Sequence, residues 1–362
     1  MKKRLQRLYD SIAEGKTVVG VGPMSRHCID SVVELANESE IPVILIASRR
    51  QIECSKLGGG YVWDTKSFSE YVRKKDTGDY VVLARDHGGP WQGTDESKLD
   101  HKEALSIALR SYYSDIEAGF DILHLDPSLK SRPLPDIMND VVDLYNTCES
   151  YAEIFGNEVI YEVGTEEHGG HITELANFES FATKMKNFPK VKFIVGNIGL
   201  HVQERRNTGN MKNYEALVQI CNRNNLYLKC HNVDYVDYCE NNGRVNELNR
   251  RGVHSINVAP EFGVQETESL LYAWRSRGFF VDTDNFIELA YKSGKWFKWM
   301  TNLGPVPSKE EKAIICGHYI FNHTSVLEMR KRLDIDGVEE HVKSMVKWNI
   351  LQYLQKTGWI AG

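Results

Sequence analysis

Eight short β-rich runs recur along the chain, at 17–22, 42–48, 79–85, 121–126, 158–163, 191–197, 226–230 and 253–258. Their starts lie 25 to 42 residues apart, which leaves room for one helix between neighbours. Helical spacing fills the gaps. Ile29, Val32, Val33 and Leu35 share one face of 25–39, and Ile137, Val141, Val142, Leu144 and Tyr145 share one face of 134–155. Strands that alternate with helices predict βαβ units and a parallel sheet. Eight such units in roughly 260 residues match the size of an α/β (β/α)8 TIM barrel. A doubly wound open sheet is the alternative, but its glycine-rich turn is incomplete here. Gly20-Val21-Gly22-Pro23 lacks a third glycine, and Pro23 breaks the fingerprint.

After about residue 278 the strand signal stops, and 286–291, 309–318, 324–333 and 338–357 read as helices. The last is amphipathic through Val342, Met345, Val346, Trp348, Ile350, Leu351 and Leu354. The expected organisation is a barrel over 1–278 and a helical C-terminal extension over 279–362, packed on the barrel or on a partner subunit. Of the 362 residues, 41% are hydrophobic and 26% charged, an ordinary globular balance. A net charge of -6 argues against a nucleic-acid partner. The basic start Met1-Lys2-Lys3-Arg4 precedes no long apolar run, so neither a secretory leader nor a membrane span is expected. The seven cysteines include no CxxC pair, which predicts reduced thiols and a cytoplasmic protein.

Three histidines stand just beyond apolar runs: His87, His201 and His231. Parallel strands of one barrel bring their C-terminal ends together, so three imidazoles remote in sequence can converge on one ion. Three protein ligands with an open position make a catalytic metal site. The ion implied is Zn2+ or another divalent metal such as Mn2+. Asp86 precedes the first ligand and is the candidate proton carrier. Glu166, on a glycine-flanked loop, is a second one. Gln51, Asp126, Glu162, Asp234 and Asn257 also lie at strand ends and are candidate substrate contacts. His168 and His171 compete as ligands. If Leu123 and Leu125 face the helices, His124 and Asp126 face the barrel interior, where His124 reads as a satisfied core residue. Cys230 reads either as a ligand or as a small buried strand residue facing away from the site. Arg49, Arg50, Arg205 and Arg206 are candidates for holding an anion.

Four segments carry a resemblance. Asp86-His87-Gly88-Gly89-Pro90-Trp91, Leu123-His124-Leu125-Asp126-Pro127-Ser128, Tyr161-Glu162-Val163-Gly164-Thr165-Glu166 and His231-Asn232-Val233-Asp234-Tyr235 resemble, in order, the tagatose-bisphosphate aldolase "non-catalytic subunit" family. That family is related to the zinc-dependent class II aldolases. The resemblance implies a (β/α)8 barrel, a metal held at His87, His201 and His231, and aldol chemistry on a ketose, sugar phosphate or sugar acid. The alternatives it implies are a ketose C4-epimerase and a stabilising subunit of an aldolase. A homo-oligomer, or a hetero-oligomer with an aldolase subunit, follows from the same likeness. Two departures stand out. Subunits called non-catalytic can carry an amide in place of the middle histidine, whereas this chain has His201. At the phosphate end of the class II site only Asn257 is retained, and Glu261 would repel a phosphate.

Overall fold

A computed structural model describes residues 1–130, 132–164, 172–238, 244–301 and 305–360. Eight parallel strands close into a barrel: β1 (Val18–Val21), β2 (Val43–Ser48), β3 (Val81–Asp86), β4 (Ile122–Leu125), β5 (Ile160–Gly164), β6 (Val191–Val195), β7 (Tyr227–Cys230) and β8 (Ser255–Val258). They lie in sequence order around the ring, and β8 closes on β1 with Val18 opposite Ser255 and Val21 opposite Val258. Each strand falls on one of the eight runs read from the sequence. The expected barrel with C-terminal helices is therefore the observed fold.

Side-chain parity sorts the strands into two cores. Val19, Val21, Leu45, Leu83, Leu123, Val163, Ile194, Leu228, Cys230 and Ile256 point outward into one buried cluster with the surrounding helices. Cys230 thus belongs to the outer core. Val18, Ile44, Ile46, Val82, Ala84, Ile122, Ile160 and Phe193 fill the lower interior. A helix not foreseen in the sequence, α1 (Lys3–Ala13), plugs that end with Leu5, Leu8 and Ile12. Their spacing of three and four residues is the signal that marks it. Beside the plug, Lys2, Arg4 and Arg73 converge on the fully buried Asp121, which also accepts the Leu83 N–H at 2.9 Å. Burial pushes the Asp121 carboxyl up, but the three cations outweigh it and hold the group well below the usual carboxylate range.

The helices that follow the first seven strands are α2 (Arg26–Ser39), α3 (Thr65–Lys75), α4 (His101–Glu117), α5 (Leu134–Phe155), α6 (Leu175–Met185), α7 (Tyr214–Arg223) and α8 (Val245–Arg250). After β8 come α9 (Pro260–Ser276), α10 (Phe280–Lys292), α11 (Lys309–Cys316), α12 (Thr324–Leu333) and α13 (Val338–Lys356). Capping is well formed in places: Asp100 and Glu103 make a reciprocal box on α4, and Ser308 and Glu311 do so on α11. The C-terminal helices share a second core, built around Trp274, Phe286, Phe321, Val326 and Val342. However, α13 lies along α2 and α9, and its Val346, Ile350, Tyr353 and Leu354 belong to the barrel's outer core. Among the described residues no helix is long and apolar enough to cross a membrane.

Candidate functional site

Inward positions near the C-terminal ends of the strands are polar, in contrast to the apolar layers below. Asp86 ends β3, His124 lies on β4, Glu162 on β5, Lys229 on β7 and Asn257 on β8. His87, Asp126 and His231 follow directly above. Ligand-capable atoms of Asp86, His124, Glu162 and His231 all lie within 4.8 Å of one another, as do those of His87, His124 and Asp126. Among the described residues, the imidazoles that meet are those of His87, His124 and His231, with ring centroids 5.3 Å (His87–His124), 4.9 Å (His87–His231) and 5.6 Å (His124–His231) apart.

His201 joins neither group. β6 ends at Val195, and His201 lies further out, at the foot of a two-residue ladder of Val202–Gln203 with Arg206–Asn207. Its backbone N–H donates to Asn207 Oδ1 at 3.1 Å. A residue several positions beyond a strand is placed by its loop, whereas His124 is fixed by the strand's pleat. Glu166, His168 and His171 lie outside the described residues.

Glu162 is the most constrained group. It is fully buried, with Oε2 2.5 Å from Lys229 Nζ and Oε1 3.1 Å from His231 Nε2 and 3.5 Å from His124 Nδ1. Burial opposes its charge, yet Lys229 and His124 hold its carboxyl well below the usual range. Lys229 escaped the sequence reading. The signal available was its position two residues before His231 on a strand, and hence on the same face. For His124, burial outweighs the pull of Glu162 and lowers the ring to about 4, so it is neutral at neutral pH. His124 Nε2 and His231 Nδ1 are buried without a hydrogen-bond partner.

His87 is oriented from behind. Its Nδ1 lies 2.8 Å from Asp126 Oδ2, which also accepts the Gln92 amide at 2.8 Å. Asp126 Oδ1 accepts the Ser128 N–H at 3.1 Å and its hydroxyl. A carboxylate behind an imidazole fixes the tautomer that turns the Nε2 lone pair forward. The loop carrying His87 leaves β3 abruptly, with His87 at φ +42° and Gly89 at φ +82°. A Cβ at Gly89 would fall 2.3 Å from the Asp126 carbonyl oxygen, so only glycine lets this loop approach β4 so closely. Arg49 secures the loop from below. It is buried and donates to Gly89 O at 3.1 Å while pairing with Glu53 and Glu96. It is thus an internal brace.

The other candidates divide by role. Asp86 keeps a partly exposed side chain at the mouth and accepts the Asn257 amide at 3.2 Å. Asp234 Oδ1 accepts the N–H groups of Ala259 at 3.0 Å and Glu261 at 2.9 Å, at the start of α9. Burial and the neighbouring Glu261 raise its carboxyl to about 7. Glu261 in turn accepts the Tyr235 N–H at 2.7 Å and the Tyr353 hydroxyl at 2.6 Å. Gln51 is turned into its own loop, where its carbonyl accepts the Ser48 N–H at 3.0 Å and hydroxyl at 2.9 Å. Arg205 pairs with Glu268, and Arg206 with Glu204.

The donor set fits a divalent cation. Carboxylate oxygens and neutral imidazoles suit zinc or manganese. A tetrahedral ion with bonds of about 2.1 Å spaces its ligands about 3.4 Å apart. The separations of 3.1 Å from His231 Nε2 and 3.5 Å from His124 Nδ1 to Glu162 Oε1 bracket that spacing.

No protein-family model matches the chain, and no curated protein matches it in sequence. Solved structures do match. A probable tagatose 6 phosphate kinase from Sinorhizobium meliloti 1021 superposes with a TM-score of 0.71 at 16% identity, over 95% of this chain and all of that one. The YdjI aldolase from Escherichia coli K12 gives 0.56 at 11% identity, over 98% of this chain and 97% of that one. A fructose-bisphosphate aldolase from Campylobacter jejuni gives 0.58 at 14% identity, over 98% of this chain and 94% of that one. At these identities the likeness is one of fold: the chain shares its barrel, end to end, with enzymes that include two aldolases.

Proposed function

We propose that the barrel is a divalent-metal-dependent carbon–carbon lyase of the class II aldolase type, acting on a hydroxy-ketone sugar. The observation that carries this reading is the convergence of Asp86, His124, Glu162 and His231 at the barrel mouth, beside a His87 oriented by Asp126. His124, Glu162 and His231 would hold the ion, with His87 and Asp86 facing the same space. A bound divalent ion acts as a Lewis acid towards a carbonyl oxygen. The remaining work falls to the chain. Asp86 has the solvent access that a proton carrier needs, and Asn257 fixes one of its oxygens. It takes the proton of the hydroxyl beside the bond to be cut. The O–H electrons become the new carbonyl, the carbon–carbon bond breaks, and the other fragment leaves as an enediolate. Lys229 keeps Glu162 charged throughout, and the closed wall of strands keeps bulk water from below.

The phosphate end supports a narrower substrate. Amides at the start of α9 would be a ready anion site. Here Asp234 already occupies those of Ala259 and Glu261, and the Glu261 carboxylate stands beside it. The substrate therefore carries no phosphate at this end. Buried thiols at all six described cysteines accord with a reducing, cytoplasmic setting.

The test is metal analysis of the purified protein, followed by an NMR screen of ketoses and keto-sugar acids with and without chelator. Bound zinc or manganese together with chelator-sensitive cleavage is expected. A protein that holds no divalent ion, and to which added zinc or manganese gives no turnover, would overturn the reading. Inverted isomers in place of fragments would reassign it to epimerisation, which cuts and rejoins the same bond.

A further inference from the structure

Lys229 and Glu162 stand on β7 and β5, with β6 between them. Strand parity turns both side chains into the barrel, because Leu228 and Cys230 on one strand and Tyr161 and Val163 on the other belong to the outer core. β6 presents Phe193 and Val195 to the same interior, opposite Glu162 and Lys229 in register, and neither side chain offers an acceptor. Among the described residues, Glu162 Oε2 at 2.5 Å is the one side-chain acceptor bonded to the Lys229 ammonium. Both side chains are 1% exposed, so no solvent shell can take the place of either partner.

The two oxygens of Glu162 therefore face different neighbours. Lys229 lies two residues below His231 on β7 and takes Oε2 from beneath. Oε1 lies near the imidazoles, 3.1 Å from His231 Nε2 and 3.5 Å from His124 Nδ1. For both oxygens to bind one ion, the ammonium would have to lose its partner while buried, which is costly. A divalent ion drawn towards Oε2 would also be brought closer to a like charge.

The number of oxygens that Glu162 can offer bears on which ion fits. A catalytic zinc takes three protein ligands and keeps one position open, whereas manganese favours an octahedral, oxygen-rich shell. We propose, resting on the metal-centre reading above, that Lys229 is a positioning residue that restricts Glu162 to a single ligating oxygen and so selects four-coordinate zinc over six-coordinate manganese. His124, Glu162 Oε1 and His231 then supply the three ligands. Loss of the lysine's charge alone would strengthen binding of both cations by the same relief of repulsion. Release of Oε2 instead favours the ion that takes more oxygens. The ratio of the two affinities separates these effects, and a merely structural role for Lys229 would leave that ratio unmoved.

The test is competitive titration of the metal-free full chain with zinc and with manganese, on the wild type and Lys229→Met, together with visible absorption of the cobalt-loaded proteins. The zinc-over-manganese affinity ratio should fall by at least about tenfold in Lys229→Met, the scale on which the partners of metal ligands act. Cobalt in the wild type should give the intense visible bands of a four-coordinate ion, and these should weaken in Lys229→Met. A smaller change in the ratio, or weak six-coordinate bands in the wild type, overturns the role of Lys229 and leaves the metal centre standing. A wild type that binds none of zinc, manganese and cobalt overturns both. If Lys229→Met does not fold, the wild-type cobalt spectrum decides alone.

Discussion

At the scale of single residues, the site depends on pairing a buried negative charge with a buried positive one. Lys229→Met leaves Glu162 enclosed without its 2.5 Å partner. The expected loss is about 3–5 kcal/mol of stability, with part recovered in Lys229→Met/Glu162→Gln, as urea denaturation of the double-mutant cycle would show. Asp86 lies at the other extreme. Its side chain reaches solvent, so Asp86→Asn should melt close to the wild type while turnover falls by roughly 10²–10⁴. Near-wild-type turnover would remove Asp86 from the chemistry. Strand parity made several of these positions legible in the sequence. Leu-His-Leu-Asp at 123–126 already implied that His124 and Asp126 point inward. Parity does not extend to loops, so His201 was judged by proximity to a strand end, and its loop carries it elsewhere. Lys229 was missed because a lysine in a strand suggests an exposed face. Only its buried partner, 67 positions away, explains it.

Among elements, α1 shows how a short helix completes a barrel. Leu5 and Leu8 are fully buried against the lower interior, so Leu8→Ala should cost about 2–5 kcal/mol in denaturant titration. The helix was legible in its apolar spacing, but not its role, since nothing local says which end of a barrel a helix will seal. The strands and helices also fix two histidines in neutral form. His254 accepts the Leu228 N–H at 2.9 Å, and burial lowers it to about 4; His318 is lowered to about 3. Both folded values lie below the ordinary histidine value, so the unfolded chain binds protons first as pH falls. Their stabilising contribution is whole above about pH 6.5 and is lost progressively below it. Unfolding free energy at pH 5.5 should be about 1 kcal/mol lower per histidine than at pH 7.5, and His254→Asn should flatten that slope.

The whole molecule was legible as a barrel because eight strand–helix units repeat, and repetition survives errors at any one boundary. How the C-terminal helices attach was not. The sequence divides near 278, whereas α13 runs back along α2 and α9 and places Val346, Ile350 and Leu354 in the barrel's own core. Removal of residues 337–362 should therefore unfold the barrel instead of releasing it intact, as loss of the cooperative melt and rapid proteolysis would reveal. The pairing of β1 with β8 has a consequence of its own. The first stave of the cask is flanked on one side by the last, so it waits for most of the chain before it is gripped on both edges. Until that seam zips, the polar ring at the mouth has no fixed diameter, and the grip on any ion arrives only with the final stitch.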